Sequence, residues 1–127
     1  MRILFVCIEN SCRSQMAEAF AKIYGKNQIE TYSAGSRPSG TINLKAIDSM
    51  LEIGYDLSKH RSKPLNDIPE VEYDIVVTMG CGEECPVVKA KRHEAWNIPD
   101  PKAMMTEDFR IVRELIETKV KELISNL

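Results

Sequence analysis

The feature that most narrows what this chain can fold into stands at its start. Arg2 is followed by the apolar run Ile3-Leu4-Phe5-Val6 and then by the largely polar stretch Cys7-Ile8-Glu9-Asn10-Ser11-Cys12-Arg13-Ser14. Met16, Ala17, Ala19, Phe20 and Ile23 come next, apolar at helical spacing as far as Gly25. A short apolar run without polar interruption is the pattern of a strand buried on both faces, and apolar residues recurring every three or four positions mark a helix packed along one side. Residues 2–6 are therefore predicted as a strand, and the polar stretch as a loop that delivers the chain into a helix.

The same alternation continues along the chain. A second strand is predicted over residues 29–34, then a turn through Gly35-Ser36-Arg37-Pro38-Ser39-Gly40, then a helix over residues 43–53 with Leu44, Ile47, Met50 and Leu51 on one side. Residues 73–79 read as another buried strand and residues 93–97 as a short one. Residues 106–127 read as a long amphipathic helix with Phe109, Val112, Leu115, Ile116, Val120 and Leu123 inward. Strands alternating with helices imply an α/β fold, a four-stranded parallel sheet with helices on both faces and its ligands at the carboxyl ends of the strands. The 127 residues show no repeat, low-complexity tract or linker, so residues 1–127 are predicted to form a single domain.

Charge and cysteine usage narrow the function classes. A net charge of -2 argues against a broad nucleic-acid surface, which needs many Lys and Arg contacts to phosphates. The N-terminal apolar run is far shorter than the ~20 residues of a membrane span, and it leads into Cys7 rather than a small-residue cleavage site. A cytoplasmic protein without a nucleic-acid or membrane partner is expected. In that setting the four cysteines, Cys7, Cys12, Cys81 and Cys85, fit catalytic or redox thiols better than structural disulfides.

The loop after the first strand carries the chemistry. Where a loop enters a helix, several backbone N–H groups can converge on one point together with the positive end of the helix dipole, so an anion is expected against Ile8, Glu9, Asn10, Ser11, Cys12, Arg13 and Ser14. Arg13 adds a planar fork that can hold two oxygens of a tetrahedral anion. The same donors favour a thiolate at Cys7, and Ser14 can supply a hydroxyl to the sulfur. A cysteine and an arginine separated by five residues also occur by chance, and a buried cysteine after a strand is commonly structural.

Taken with the strand before it and the helix after it, this Cys7-to-Ser14 pattern resembles the low-molecular-weight protein tyrosine phosphatase superfamily over nearly the whole chain. Within it, Asn10-Ser11-Cys12-Arg13-Ser14 is similar to the loop of the thioredoxin-coupled arsenate reductases, and Thr31-Tyr32-Ser33-Ala34-Gly35 matches the segment following their second strand. The resemblance implies Cys7 as nucleophile, Arg13 as oxyanion holder and Asp100, in Pro99-Asp100-Pro101, as general acid. It also points to Glu18 and Ser33 as positions where some relatives bind potassium, with Lys63 at the place of their completing Asp. An ammonium there can take the cation's position, so no metal and no cofactor is expected. Three departures stand out: Glu9 replaces a usual glycine, Lys102 follows Pro101 where phosphatases of this type carry an aromatic residue, and only three residues separate Cys81 from Cys85.

A phosphatase has no use for Cys81 and Cys85, whereas a reductase needs a second thiolate to attack Cys7 and a third to carry the disulfide to a reductant. A zinc site built on these two cysteines lacks a second ligand pair, and His93 is more simply a surface or packed histidine. Cys12 suits a packed or secondary thiol. The expected function is reduction of arsenate to arsenite through Cys7, Cys81 and Cys85, with thioredoxin or a small thiol as reductant and arsenate or phosphate as the bound oxyanion. The alternatives are a phosphatase that hydrolyses a Cys7 phosphoenzyme, and a non-catalytic anion-binding or redox-sensing module.

Overall fold

Strand β1 (Arg2–Cys7) is buried from Ile3 to Cys7 because it lies inside the sheet, paired on one edge with β2 (Glu30–Gly35) and on the other with β3 (Tyr73–Met79). A fourth strand, β4 (Ala90–Trp96), pairs with β3, giving the order β2-β1-β3-β4 with every pairing parallel. The computed structural model describes residues 1–80 and 87–127. Three helices, α1 (Arg13–Gly25), α2 (Leu44–Leu51) and α3 (Thr106–Ser125), and three 3-10 turns complete the described elements. The chain leaves β1 toward β2 on one side and returns to β3 on the other. The strand order therefore reverses beside the end of β1, which is where open α/β sheets form their ligand crevice.

Side chains alternate along a strand, and the two faces of β1 and β3 serve two cores. Ile3, Phe5, Ile75 and Val77 join Met16 and Phe20 of α1 and Phe109, Val112, Ile116 and Val120 of α3 in the larger one. Leu4, Val6 and Val76 face Ala34 and Ile68, with Leu65 and Val71 packed against them, so a 3-10 turn at Leu65–Asp67 covers the second face. Full burial on both faces explains why β1 and β3 are nearly all apolar.

Elsewhere the structure departs from the sequence expectations. β4 begins at Ala90, before the predicted residue 93, because Lys91, Arg92 and His93 are exposed on an edge strand whose charges hide its pattern. On α2 the buried side is Ala46, Ser49 and Met50, whereas Leu44 and Leu51 are exposed. On α3 Leu115 is largely outside and Arg113 is buried, its Nη1 donating to the Ser49 carbonyl at 2.8 Å and to Glu52 Oε1 at 2.6 Å. An arginine thus anchors α3 to the carbonyl end of α2.

A buried polar cluster ties α1 to β2 and to the segment after the second 3-10 turn. Glu18 Oε1 accepts from Ser33 Oγ at 2.7 Å, with His60 Nδ1 at 3.5 Å and Lys63 Nζ at 4.0 Å, and Lys22 Nζ lies 3.5 Å from Oε2. Burial alone would raise the Glu18 pKa, but the contacts with His60, Lys63, Ser33 and Lys22 outweigh it and bring the carboxyl from 4.5 down to about 2. At the end of β2, Gly35 meets the loop that follows β1: a Cβ there would stand 2.5 Å from the Ile8 carbonyl oxygen.

Two outcomes follow from these contacts. Gly35→Ala forces the β1 loop outward and should lower the unfolding free energy by about 1–3 kcal/mol in urea titrations, whereas an unchanged midpoint would show that the loop yields freely. The folded-state pKa of Glu18 lies below its unfolded value, so the stability it contributes is present above pH 4.5 and is lost as pH falls toward 2. The full loss is on the order of 3 kcal/mol. Glu18→Gln should flatten the decline of urea stability between pH 5 and pH 3; parallel declines in the two proteins would contradict this.

Candidate active site

β1 ends at Cys7 and α1 begins at Arg13, so the residues between them turn across the carboxyl edge of the sheet at the point of strand reversal. Asn10 makes the turn possible with φ 51°, a left-handed conformation that asparagine tolerates. Its side chain is held from several directions: Oδ1 accepts from Gln15 Nε2 at 2.8 Å and from the Lys63 amide at 3.0 Å, and Nδ2 donates to Ser14 Oγ at 2.7 Å. The loop carbonyls are taken up from outside. Ile8 O accepts from the Arg37 amide, Glu9 O from the Ser39 amide and Ser62 Oγ, Asn10 O from Gln15 Nε2, and Ser11 O from the Asn43 amide. With the loop carbonyls engaged from outside, an anion at the loop would meet amides rather than carbonyl oxygens.

Cys7 lies at the floor, 3% exposed, with its Sγ 2.9 Å from Ser14 Oγ. Asn10 Nδ2 donates to that oxygen, which leaves the serine proton free to be given to the sulfur when it is a thiolate. Arg13 is buried, and its Nη1 donates to the Ile98 carbonyl at 3.1 Å. Among the described residues the nearest carboxylate oxygen is Asp100 Oδ2, 3.8 Å from Nη2 and on a half-exposed side chain. A buried guanidinium that these residues compensate so loosely favours an anion beside it.

Cys7, Glu9, Ser11, Cys12, Arg13 and Asp100 line one small cavity of about 10 Å³. The structure therefore brings together five of the predicted loop residues and the distant Asp100, whose Oδ1 accepts from the Lys102 amide at 3.1 Å. Cys12 is a buried free thiol accepting weakly from Ser11 Oγ at 3.8 Å. Burial pushes its pKa up to about 12 against the Ser11 hydrogen bond and the Arg13 charge, so it stays protonated at neutral pH. Cys81 and Cys85 lie within residues 81–86, outside the described residues. The residue before them, Gly80, adopts φ 78°, and a Cβ on it would stand 2.2 Å from Arg13 Nη1. The chain at the end of β3 thus runs directly against the arginine of the loop.

Sequence reasoning missed the outer support of this site. His60 Nδ1 is 3.0 Å from Gln15 Oε1, and its Nε2 is 2.6 Å from the Tyr55 hydroxyl, so a chain of side chains runs from Tyr55 through His60, Gln15, Asn10 and Ser14 to Cys7. No local spacing announces that chain; only the uninterrupted burial of residues 10–21 hints that Gln15 has partners inside. Lys63 Nζ lies 3.4 Å from Ser33 Oγ and 3.1 Å from the Arg61 carbonyl, beside Glu18. With Lys63, Lys22 and His60 around one carboxylate, these residues do not suit an additional bound cation. His93 is exposed on β4 and stands apart from the site. Among the described residues, no helix is long and apolar enough to cross a membrane.

Comparison with known proteins agrees with this geometry. A "Glutaredoxin arsenate reductase" of Synechocystis sp. (strain ATCC 27184 / PCC 6803 / Kazusa) is 38% identical over 129 aligned residues, which take in 99% of this chain and 98% of that protein. A solved structure described as an arsenate reductase in the phosphate binding state superimposes with a TM-score of 0.89 at 38% identity, covering 98% of this chain and 97% of the other. The YwlE arginine phosphatase from Geobacillus stearothermophilus superimposes with a TM-score of 0.81 at 26% identity, covering 98% and 91%. The family model for low molecular weight phosphotyrosine protein phosphatase matches residues 2–127. The chain belongs to that family.

Proposed function

We propose that the protein is an arsenate reductase. The observation that carries this reading is the 2.9 Å contact of Cys7 Sγ with Ser14 Oγ beneath a buried, loosely compensated Arg13, at the start of a helix and at the reversal point of the sheet. Support for arsenate comes from the arsenate reductases of similar sequence and structure, one of them described in a phosphate-binding state.

In the proposed reaction the amides of residues 8–14 and the Arg13 guanidinium hold three oxygens of arsenate, and the Cys7 thiolate attacks arsenic. Protonation by Asp100 lets one oxygen depart as water, leaving a Cys7–arsenic bond. A thiolate from Cys81 or Cys85 then attacks the Cys7 sulfur. The sulfur–arsenic electron pair passes to arsenic, which leaves as arsenite, and the two electrons come from the thiols now joined as a disulfide. The remaining thiolate of the pair attacks that disulfide, frees Cys7 and leaves Cys81–Cys85 oxidised for an external dithiol such as thioredoxin or glutaredoxin, or for a small thiol. A reducing, cytoplasmic setting suits this cycle.

The second reading is a phosphatase, favoured by the family as a whole and by the arginine phosphatase of similar fold. In it, water assisted by Asp100 hydrolyses a Cys7 phosphoenzyme and Cys81 and Cys85 are idle. Arsenate-dependent NADPH oxidation, coupled through thioredoxin or glutaredoxin and their reductases, separates the two when run on wild type, Cys7→Ser, Cys81→Ser and Cys85→Ser beside a chromogenic phosphate ester. The reductase predicts loss of at least a hundred-fold in arsenate turnover in all three variants, with any ester hydrolysis lost only in Cys7→Ser. Ester hydrolysis dependent on Cys7, with no arsenate turnover, would leave the phosphatase.

A further inference from the structure

Beside the cavity stands an ion pair that the reaction described above does not use. Lys102 Nζ lies 2.7 Å from Glu9 Oε2, joining the loop after β1 to the segment that carries Asp100. Glu9 and Asp100 both line the cavity, and the Lys102 amide donates to Asp100 Oδ1. The bridge thus ties Glu9, which lines the cavity, to the residue two positions after Asp100, which lines it from the other segment.

We infer that the Glu9–Lys102 pair determines substrate class, admitting an unsubstituted tetrahedral oxyanion to Cys7 and disfavouring phosphate monoesters. This rests on the reading of Cys7 as nucleophile and Asp100 as acid. Attack from the sulfur at the floor sends the departing oxygen to the opposite side, toward Asp100 at the rim. In arsenate that oxygen carries at most a proton. In a monoester it carries carbon, which must continue outward through the span that the Glu9–Lys102 bridge closes. Charge adds an effect common to both ligands: Glu9 alone would repel an incoming dianion, and Lys102 cancels that charge while the two are together. Glu9 and Lys102 are specificity-determining residues on this account, without a part in bond making.

The pair is solvent-exposed, with side chains 32% and 56% accessible, and exposed pairs are weak. Its expected effect is therefore several-fold rather than many orders of magnitude. The test is alkylation of Cys7 by iodoacetamide, followed by peptide mass spectrometry in phosphate-free buffer, with arsenate or phenylphosphonate as protecting ligand. Wild type should need at least ten times more phenylphosphonate than arsenate for half-protection. In Lys102→Ala and in Glu9→Gly/Lys102→Ala that ratio should fall at least three-fold; Lys102→Ala alone should also need more arsenate, and Glu9→Gln should not. Equal protection by the two ligands in wild type, or a ratio unmoved in both Lys102 variants, overturns the inference. Protection by arsenate with the expected ratios but no arsenite from the coupled assay would sink the reductase reading and leave the filter standing, whereas no protection by arsenate would overturn both.

Discussion

The contact between the Ser14 hydroxyl and the Cys7 sulfur is the point on which the rest of this structure converges. Cys7 is the last residue of the central strand, and Ser14 lies in the first turn of the helix that follows, so 2.9 Å between them requires the loop to close tightly on itself. Asn10 makes that closure possible by taking a left-handed backbone and by donating to Ser14, while Gln15 and the Lys63 amide hold its other end. Each brace comes from a different part of the chain. The ordering of one sulfur and one hydroxyl therefore draws on β1, α1 and the segment from Tyr55 to Lys63, and a geometry set by several rigid supports is the kind that retains precision.

Burial explains how far sequence reading reached. β1 and β3 were legible because both of their faces are covered and nothing polar interrupts them. β4 was legible only at its end, since an edge strand can carry Lys91, Arg92 and His93 into solvent without loss of pairing. The inward face of α2 misled for a related reason. Leu44 and Leu51 look like core residues, but the contact with α3 is made through small Ala46, through Met50 and through the Ser49 carbonyl that Arg113 reaches. Cys7, Arg13 and Ser14 could be read because eight consecutive positions hold them all. Tyr55, His60 and Gly80 could not, because they enter the site by tertiary contact.

The two walls of the cavity illustrate the same limit in a functional setting. Glu9 and Lys102 each stood out as a departure from the pattern that the chain otherwise resembles, and nothing in their spacing of 93 residues linked them. In the fold they touch, one from the loop after β1 and the other from the segment that carries Asp100. Gly80 has a comparable place beneath the arginine, where any side chain would collide with the guanidinium. These contacts hold the rim and the floor of the cavity as the braces of Asn10 hold the loop.

The central claim, that Cys7 delivers the electrons of the protein's own thiols to a bound oxyanion, is tested most directly by a single turnover without added reductant. Fully reduced protein is mixed with arsenate anaerobically, released arsenite is quantified, and disulfides are mapped by peptide mass spectrometry. The account predicts about one arsenite per chain, Cys81 joined to Cys85, and Cys7 returned to the free thiol. Release of arsenite at the same stoichiometry from Cys7→Ser, or none from the wild type, would contradict it.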